Sequence, residues 1–128
     1  MGVVVFIALI TVSAMAALVA EKMSPIKTCH DVRVAMDGAI DAVLETSALN
    51  DHYAVTLFKI KNYKKVKIGT VDVSPEAVKR ARISESYLGD GLRLSIGSGV
   101  NPKTGRQPAS LQGEIEGQQV SVAMGCGK

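Results

Sequence analysis

Residues 97–104 are the stretch of this 128-residue chain that comes closest to a known binding motif. They read Gly-Ser-Gly-Val-Asn-Pro-Lys-Thr, whereas a phosphate-binding loop requires Gly-x-x-x-x-Gly-Lys-Thr. Pro102 replaces the second glycine and removes a backbone N–H of the kind that cradles phosphate. Gly105 and Pro108 also disfavour the helix whose N-terminus should complete the site. The sequence therefore predicts a plain loop between strands.

Cys29 and Cys126 are the only two cysteines. An even count in a chain with an apolar start favours one disulfide, and the alternative is two buried free thiols. A bridge would close a loop of about 98 residues, worth about 4 to 5 kcal/mol in the chain-entropy treatment. It would also place the protein outside the cytoplasm. Cys29 and His30 lack the CxxC or HxxxH spacing of a metal site, so no metal is predicted.

The remaining titratable residues predict neither catalysis nor a cofactor. Asp37, Asp41 and Glu45 recur every four residues, which is typical of the solvated face of a helix. His52 has no Ser or Cys nucleophile motif near it. We therefore expect a protein that is not an enzyme.

A lysine-rich segment over residues 58–68 is the strongest charge feature of a chain whose net charge is only +3. Taken as extended chain, it places four lysines on one side, namely Lys59, Lys61, Lys65 and Lys67. Such a row can attract an anionic surface or DNA, or it can protect an edge strand from aggregation. The edge strand is favoured because no basic and aromatic constellation accompanies the lysines. Acidic neighbours in a filament are a third possibility.

Residues 1–20 form a nearly unbroken apolar run, long enough to span a bilayer as a helix. Three interpretations are open: a cleaved secretory signal, a permanent anchor, or the assembly helix of a filament subunit. Residues 14–16, Ala-Met-Ala, fit a small-x-small cleavage site, although no basic residue precedes the run. We divide the chain into an apolar helix over residues 1–24 and one small α+β domain over residues 25–128.

The rest of the chain predicts two helices and several strands. Apolar residues over 31–50 recur at three- and four-residue spacing and predict an amphipathic helix. Its buried stripe consists of Val32, Ala35, Met36, Ala39, Val43 and Leu44. Residues 54–73 predict two strands with a turn near Asn62. Residues 74–76, Ser-Pro-Glu, predict the start of a short helix that ends near Ile83.

The last forty residues predict an antiparallel sheet. Leu92, Leu94 and Ile96 alternate with polar residues after a turn at residues 89–91. A polar loop over 97–108 follows, and a turn at residues 116–117 precedes a final strand that ends near Cys126.

This combination resembles a bacterial type IV pilin or pseudopilin. Residues 14–20, Ala-Met-Ala-Ala-Leu-Val-Ala, are similar to the alanine-rich assembly helix of that family, and Pro25 is similar to the proline that bends it. Residues 91–97 and 119–126 are similar to its late strands and terminal cysteine. The resemblance implies an α+β fold, in which a long N-terminal helix packs on a small antiparallel sheet. The first cysteine lies earlier in the chain than in that family, so a Cys29–Cys126 bridge would join this sheet to the helix.

The function that this resemblance implies is structural: a filament subunit held in the inner membrane before assembly and extracellular afterwards. Its partners would be copies of itself, packed through Val5, Leu9, Ala14, Ala16, Ala17 and Leu18. The main alternative is a small secreted binding domain with a cleaved signal, whose lysine segment or 97–108 loop meets a partner. A third is an anchored accessory subunit of an envelope complex.

Overall fold

The computed structural model of the chain describes residues 22–34, 36–47, 52–78 and 82–127. These residues form eight antiparallel strands in one closed barrel, in which each strand pairs with its neighbours in sequence and the last pairs with the first. The strands are β1 (Ser24–Asp31), β2 (Ile40–Ser47), β3 (His52–Lys61), β4 (Lys64–Pro75), β5 (Ile83–Gly89), β6 (Leu92–Gly97), β7 (Gln107–Ile115) and β8 (Gln118–Gly127).

The predicted α+β fold is wrong, because every regular element in the described ranges is a strand. The amphipathic helix expected over residues 31–50 is replaced by the end of β1, a loop and β2. Val34 and Gly38 have φ angles of +35° and +87°, which a right-handed helix does not allow. In β2, the side chains at every second position, Ile40, Ala42 and Leu44, belong to the buried core, as a strand with an inner face requires.

The short helix expected over residues 74–83 is also wrong. Ser74 and Pro75 end β4 and pair with Leu88 and Tyr87 of β5, so this local capping signal is overridden by strand pairing. The architecture expected from the pilin resemblance therefore fails. The part of the chain that the structure describes contains no helix long and apolar enough to cross a membrane. The apolar run 1–20, including Val5, Leu9, Ala14, Ala16, Ala17 and Leu18, lies outside the described residues.

The strands predicted from two-residue periodicity are confirmed. β3 and β4 form a hairpin that turns at Asn62 and Tyr63, and β6 to β8 follow the alternation predicted for the last forty residues. Alternate side chains of all these strands point inward. The most deeply buried of the larger ones are Leu44, Val55, Leu92, Leu94, Ile96 and Leu111, each at most 1% exposed. These buried side chains form one contiguous hydrophobic core inside the eight-stranded barrel.

The predicted disulfide between Cys29 and Cys126 is confirmed. It joins β1 to β8, however, and not a sheet to a helix. The two cysteines are directly opposite each other, with Cα atoms 4.0 Å apart, in a seam of four residue pairs that runs from Thr28–Gly127 to Asp31–Met124. The disulfide therefore closes the barrel.

Two glycines allow the close backbone approaches that barrel closure needs. A Cβ atom on Gly89 of β5 would lie 1.9 Å from the carbonyl oxygen of Asp72 in β4. A Cβ atom on Gly113 of β7 would lie 2.2 Å from the carbonyl oxygen of Gly91. Any side chain at either position would push two backbones apart.

Replacing both cysteines by alanine should lower the free energy of unfolding by about 4 kcal/mol, since the disulfide closes a loop of nearly the whole domain. Urea denaturation of the two proteins measures this difference. Dithiothreitol should destabilise the native protein by a similar amount and leave the double variant unchanged. Equal stability of the two proteins would show that the seam does not depend on the disulfide.

A basic and apolar surface at one end of the barrel

Four connections meet at one end of the barrel, which we call the hairpin end: residues 32–39, 62–63, 90–91 and 116–117. Three of them are two-residue turns whose central residues all have positive φ, as in the type I′ turns that suit twisted hairpins. The fourth, the 32–39 loop, is much longer. A longer loop among minimal turns is where a binding surface is most often built.

The carboxylate of Asp31, which is only 1% exposed, organises the 32–39 loop. It accepts hydrogen bonds from the backbone N–H groups of Arg33 and Ile40, each at 2.9 Å. The Arg33 side chain donates to both carboxylate oxygens, from Nε to Oδ1 at 3.1 Å and from Nη2 to Oδ2 at 2.6 Å. Burial alone would raise the pKa of Asp31, but these hydrogen bonds and the Arg33 charge outweigh it and hold the pKa below its usual value. Asp31 is therefore ionised in the folded protein.

Asp41 connects this loop to the lysine-rich hairpin. One carboxylate oxygen accepts the backbone N–H of Asp31 at 3.0 Å, and the other lies 3.0 Å from His30 Nδ1. Lys65 Nζ lies 3.7 Å from the same second oxygen and 4.7 Å from the centre of the Phe58 ring. Asp41, in β2, thus connects the end of β1 to Lys65 of β4.

The 32–39 loop exposes three large apolar side chains, since Val32, Val34 and Met36 are 61%, 67% and 59% exposed. Val34 also has a φ of +35°, which is rare for a β-branched residue. The sequence analysis had placed Val32 and Met36 in a buried helical stripe, which is wrong. Val34 therefore combines backbone strain with exposure, which packing into the core does not explain.

The β3–β4 hairpin extends beyond its neighbours at this end. β2 begins opposite Lys59, and among the described residues β4 pairs with β5 only at Ser74 and Pro75. The tip residue Tyr63 is 91% exposed and has a φ of +63°. Three hydrogen bonds join the hairpin to the neighbouring loop. Asn62 N–H donates to Asp37 Oδ1 at 2.7 Å, Gly38 N–H donates to the Ile60 carbonyl at 2.9 Å, and Ile60 N–H donates to the Ala39 carbonyl at 2.9 Å. Loop and hairpin therefore form one surface.

The four lysines singled out from the sequence lie on two faces of this hairpin. Lys59 is opposite Ile40 on the inner face, and its Nζ lies 3.2 Å from Glu116. Lys61 follows it beside the turn, opposite Lys64. Lys65 and Lys67 are on the outer face, opposite Ile60 and Phe58. Because the chain turns at residues 62–63, the lysines surround the hairpin and do not form one row.

A cleft of roughly 760 Å³ opens at the hairpin end between the 32–39 loop and the first half of β8. Its charged residues are already paired with one another, Asp31 with Arg33 and Lys59 with Glu116. The rest of the wall is apolar or weakly polar and includes Ile40, Ile115, Val120, Ser121, Val122 and Ala123.

The other residues considered for chemistry are dispersed. Residues 98–106 form the loop between β6 and β7 at the opposite end. Asp37, Asp41 and Glu45 bind Asn62, Asp31 and Thr56, respectively, and do not converge. His52 pairs with Asp72 at 2.9 Å. Within the described ranges, no group of three or more His, Cys, Asp or Glu side chains is arranged to hold a metal ion.

The described residues form an all-β, disulfide-closed barrel with a basic and apolar surface at one end. The chain matches no protein-family model, and no curated protein or solved structure matches it either. The function must therefore be argued from the surface itself.

The apolar half of this surface and Lys64 are not among the residues predicted from the sequence. A single extended strand turns Lys64 away from the other four lysines, whereas the turn at residues 62–63 places it opposite Lys61. Val32, Val34 and Met36 had a usable signal, since Asp37 and Gly38 follow them at once and are typical turn residues.

Replacing Asp31 by asparagine should destabilise the protein by about 2 kcal/mol at pH 7, because charged hydrogen bonds to Arg33 and two backbone N–H groups are weakened. The folded-state pKa of Asp31 is lowered, so its stabilisation is complete above the unfolded pKa of about 4 and is lost as pH falls through the folded pKa. The difference between the two proteins should therefore shrink in acid.

Urea titrations at pH 7 and at pH 3 test this. Asp37→Asn is the matched control, since it makes the same change on an exposed carboxylate of the same loop and should change stability by less than about 0.5 kcal/mol. If the difference in unfolding free energy between the native protein and Asp31→Asn is the same at pH 7 and pH 3, the role of the Asp31 charge is refuted.

Proposed function

We propose that the protein is an exported binding domain that attaches peripherally to an anionic lipid surface through its hairpin end. This proposal keeps the secreted alternative from the sequence analysis and replaces the filament subunit. The observation that carries it is that exposed apolar side chains and lysines without an ion pair among the described residues share one protruding surface. The disulfide supports export, since such bonds persist outside the cytoplasm.

The charge of the surface favours an anionic partner. Among the described residues, no ion pair holds Lys61, Lys64 or Lys67, and all three are exposed. Each lysine near an anionic membrane contributes about 1 kcal/mol of attraction. Three of them therefore supply about 3 kcal/mol, which is weak enough to be reversible.

The apolar side chains favour lipid over nucleic acid. Five of the exposed large apolar residues are at the hairpin end, namely Val32, Val34, Met36, Tyr63 and Val66. Aliphatic side chains and a tyrosine between lysines suit the boundary between lipid headgroups and acyl chains, where tyrosine is enriched. A DNA backbone would contact the lysines and leave these valines and the methionine exposed to water.

The first test is sedimentation of the full chain with vesicles of phosphatidylcholine, with and without phosphatidylglycerol, at low and high salt. Replacing Lys64 and Lys67 by glutamine should weaken binding to the anionic vesicles by about 2 kcal/mol, or roughly thirtyfold. The matched control removes two lysines from the opposite end, Lys22→Gln with Lys103→Gln. Because all variants keep residues 1–20, the apolar run contributes equally to each.

If both double variants lose the same amount of binding to anionic vesicles, binding depends only on the net charge of the protein and not on the hairpin end. Preference for duplex DNA over anionic vesicles at the same salt concentration would instead make the lysines a nucleic-acid surface.

A second test uses the absence of tryptophan from the sequence. Tyr63→Trp places a single tryptophan at the hairpin tip, and its emission should shift to the blue when anionic vesicles are added. Val100→Trp, in the exposed loop at the opposite end, is the control and should not shift. A shift in the control alone would show that the opposite end faces the membrane.

A further inference from the structure

The first half of β8 pairs with β7 on one side, but on its other side the pairing with β1 stops at Met124 among the described residues. Val32 N–H donates to the Ala123 carbonyl at 3.0 Å, and this is the last backbone contact between the two strands. The chain then leaves the sheet, since Val34 N–H turns back to the Asp31 carbonyl. β8 begins five residues before Ala123, at Gln118.

Strand geometry identifies which backbone groups are left open. In an antiparallel ladder, residues hydrogen-bonded to one neighbour alternate with residues hydrogen-bonded to the other. Ala123 faces β1, so Ser121 is the next residue whose N–H and C=O point to the same side. Among the described residues these two groups have no partner. Ser121 lies in the wall of the cleft and is itself exposed.

The space beside this open edge fits an extended chain. The outer side chains there are small, Ser121 and Ala123, while Val120 and Ile115 line the inner side of the cleft. The charged residues around it are paired with each other, so a charged occupant would face an already neutral site.

We propose that the cleft binds an extended, uncharged segment of a partner protein, which adds to the edge of β8 in the place where β1 would have continued. The segment runs antiparallel to β8, and one of its residues exchanges two backbone hydrogen bonds with Ser121. The next residue toward its C-terminus is opposite Val120 and points inward, where an aliphatic side chain contacts Ile115. Backbone pairing supplies affinity and this inner position supplies selectivity.

The site is separate from the lysines used in the proposed lipid attachment, and each proposal can fail alone. Vesicle binding depends on Lys64 and Lys67, whereas strand addition depends on Ser121.

The test uses the full chain labelled with ¹⁵N and a capped pentapeptide of serine and threonine with one valine at its fourth position. Without peptide, the Ser121 amide should exchange with solvent faster than those of Val120 and Val122, which face β7. At millimolar peptide, resonances of residues 118–123 should shift and the Ser121 amide should become protected. Replacing the valine of the peptide by aspartate should weaken binding about tenfold.

Ser121→Pro removes the open N–H without breaking the β7 pairing, because proline is tolerated at a free strand edge. It should weaken peptide binding at least about tenfold, whereas Ser121→Ala should bind normally. If the proline variant does not fold, the pentapeptide methylated on its backbone nitrogens serves instead, and it should not bind the native protein.

Three results would overturn the proposal. The first is a Ser121 amide as protected in the free protein as its neighbours. The second is no resonance shift at residues 118–123 at several millimolar peptide, or a shift that Ser121→Pro does not change. The third is a dimer in sedimentation that Ser121→Pro dissociates, which would make a second copy of the chain the occupant of the cleft.

Discussion

The pairing of β1 with β8 is the constraint on which the rest of the structure depends. An up-and-down sheet of eight strands becomes a barrel only when its first and last strands meet, and otherwise both remain open edges. Two of the strand pairings are short: β1 and β8 share four residue pairs, and β4 and β5 share two. They divide the barrel into two four-stranded halves. The disulfide links β1 to β8 covalently, and Gly89 allows the backbones of β4 and β5 to approach closely.

Both candidate binding sites originate where β1 leaves that seam. Asp31 is the last residue of β1 and pairs with Met124. Its carboxylate accepts hydrogen bonds from the backbone N–H groups of Arg33 and Ile40. β1 ends at this contact, Val32 and Val34 are exposed, and the side of Ser121 that faces away from β7 has no backbone partner among the described residues. One buried carboxylate therefore shapes the apolar loop on one side and the cleft on the other.

The sequence predicted the strands better than the fold. Leu92, Leu94 and Ile96 alternate with polar residues, so their two-residue period is visible without any structure. In β2 the outward Asp41 is also nearly buried and Val43 is apolar, which blurs the alternation and allowed a helical interpretation of residues 31–50. Ser74 and Pro75 also match the pattern of a helix start, but their pairing with β5 outweighs this local preference for a helix. Local patterns do not encode which strands meet.

The disulfide was predictable, but its structural role was not. Cysteine count and an apolar start favour a bridge, yet only the register Cys29–Cys126 makes it the closure of a barrel. The free energy that the disulfide contributes can be compared with the backbone strain at the hairpin end. Val34 and Tyr63 hold positive φ angles that cost on the order of 1 to 3 kcal/mol each, and a disulfide closing so long a loop contributes about 4 to 5 kcal/mol. The stabilisation by the disulfide is therefore of the same order as the strain at Val34 and Tyr63, whose side chains are exposed at the proposed binding surface.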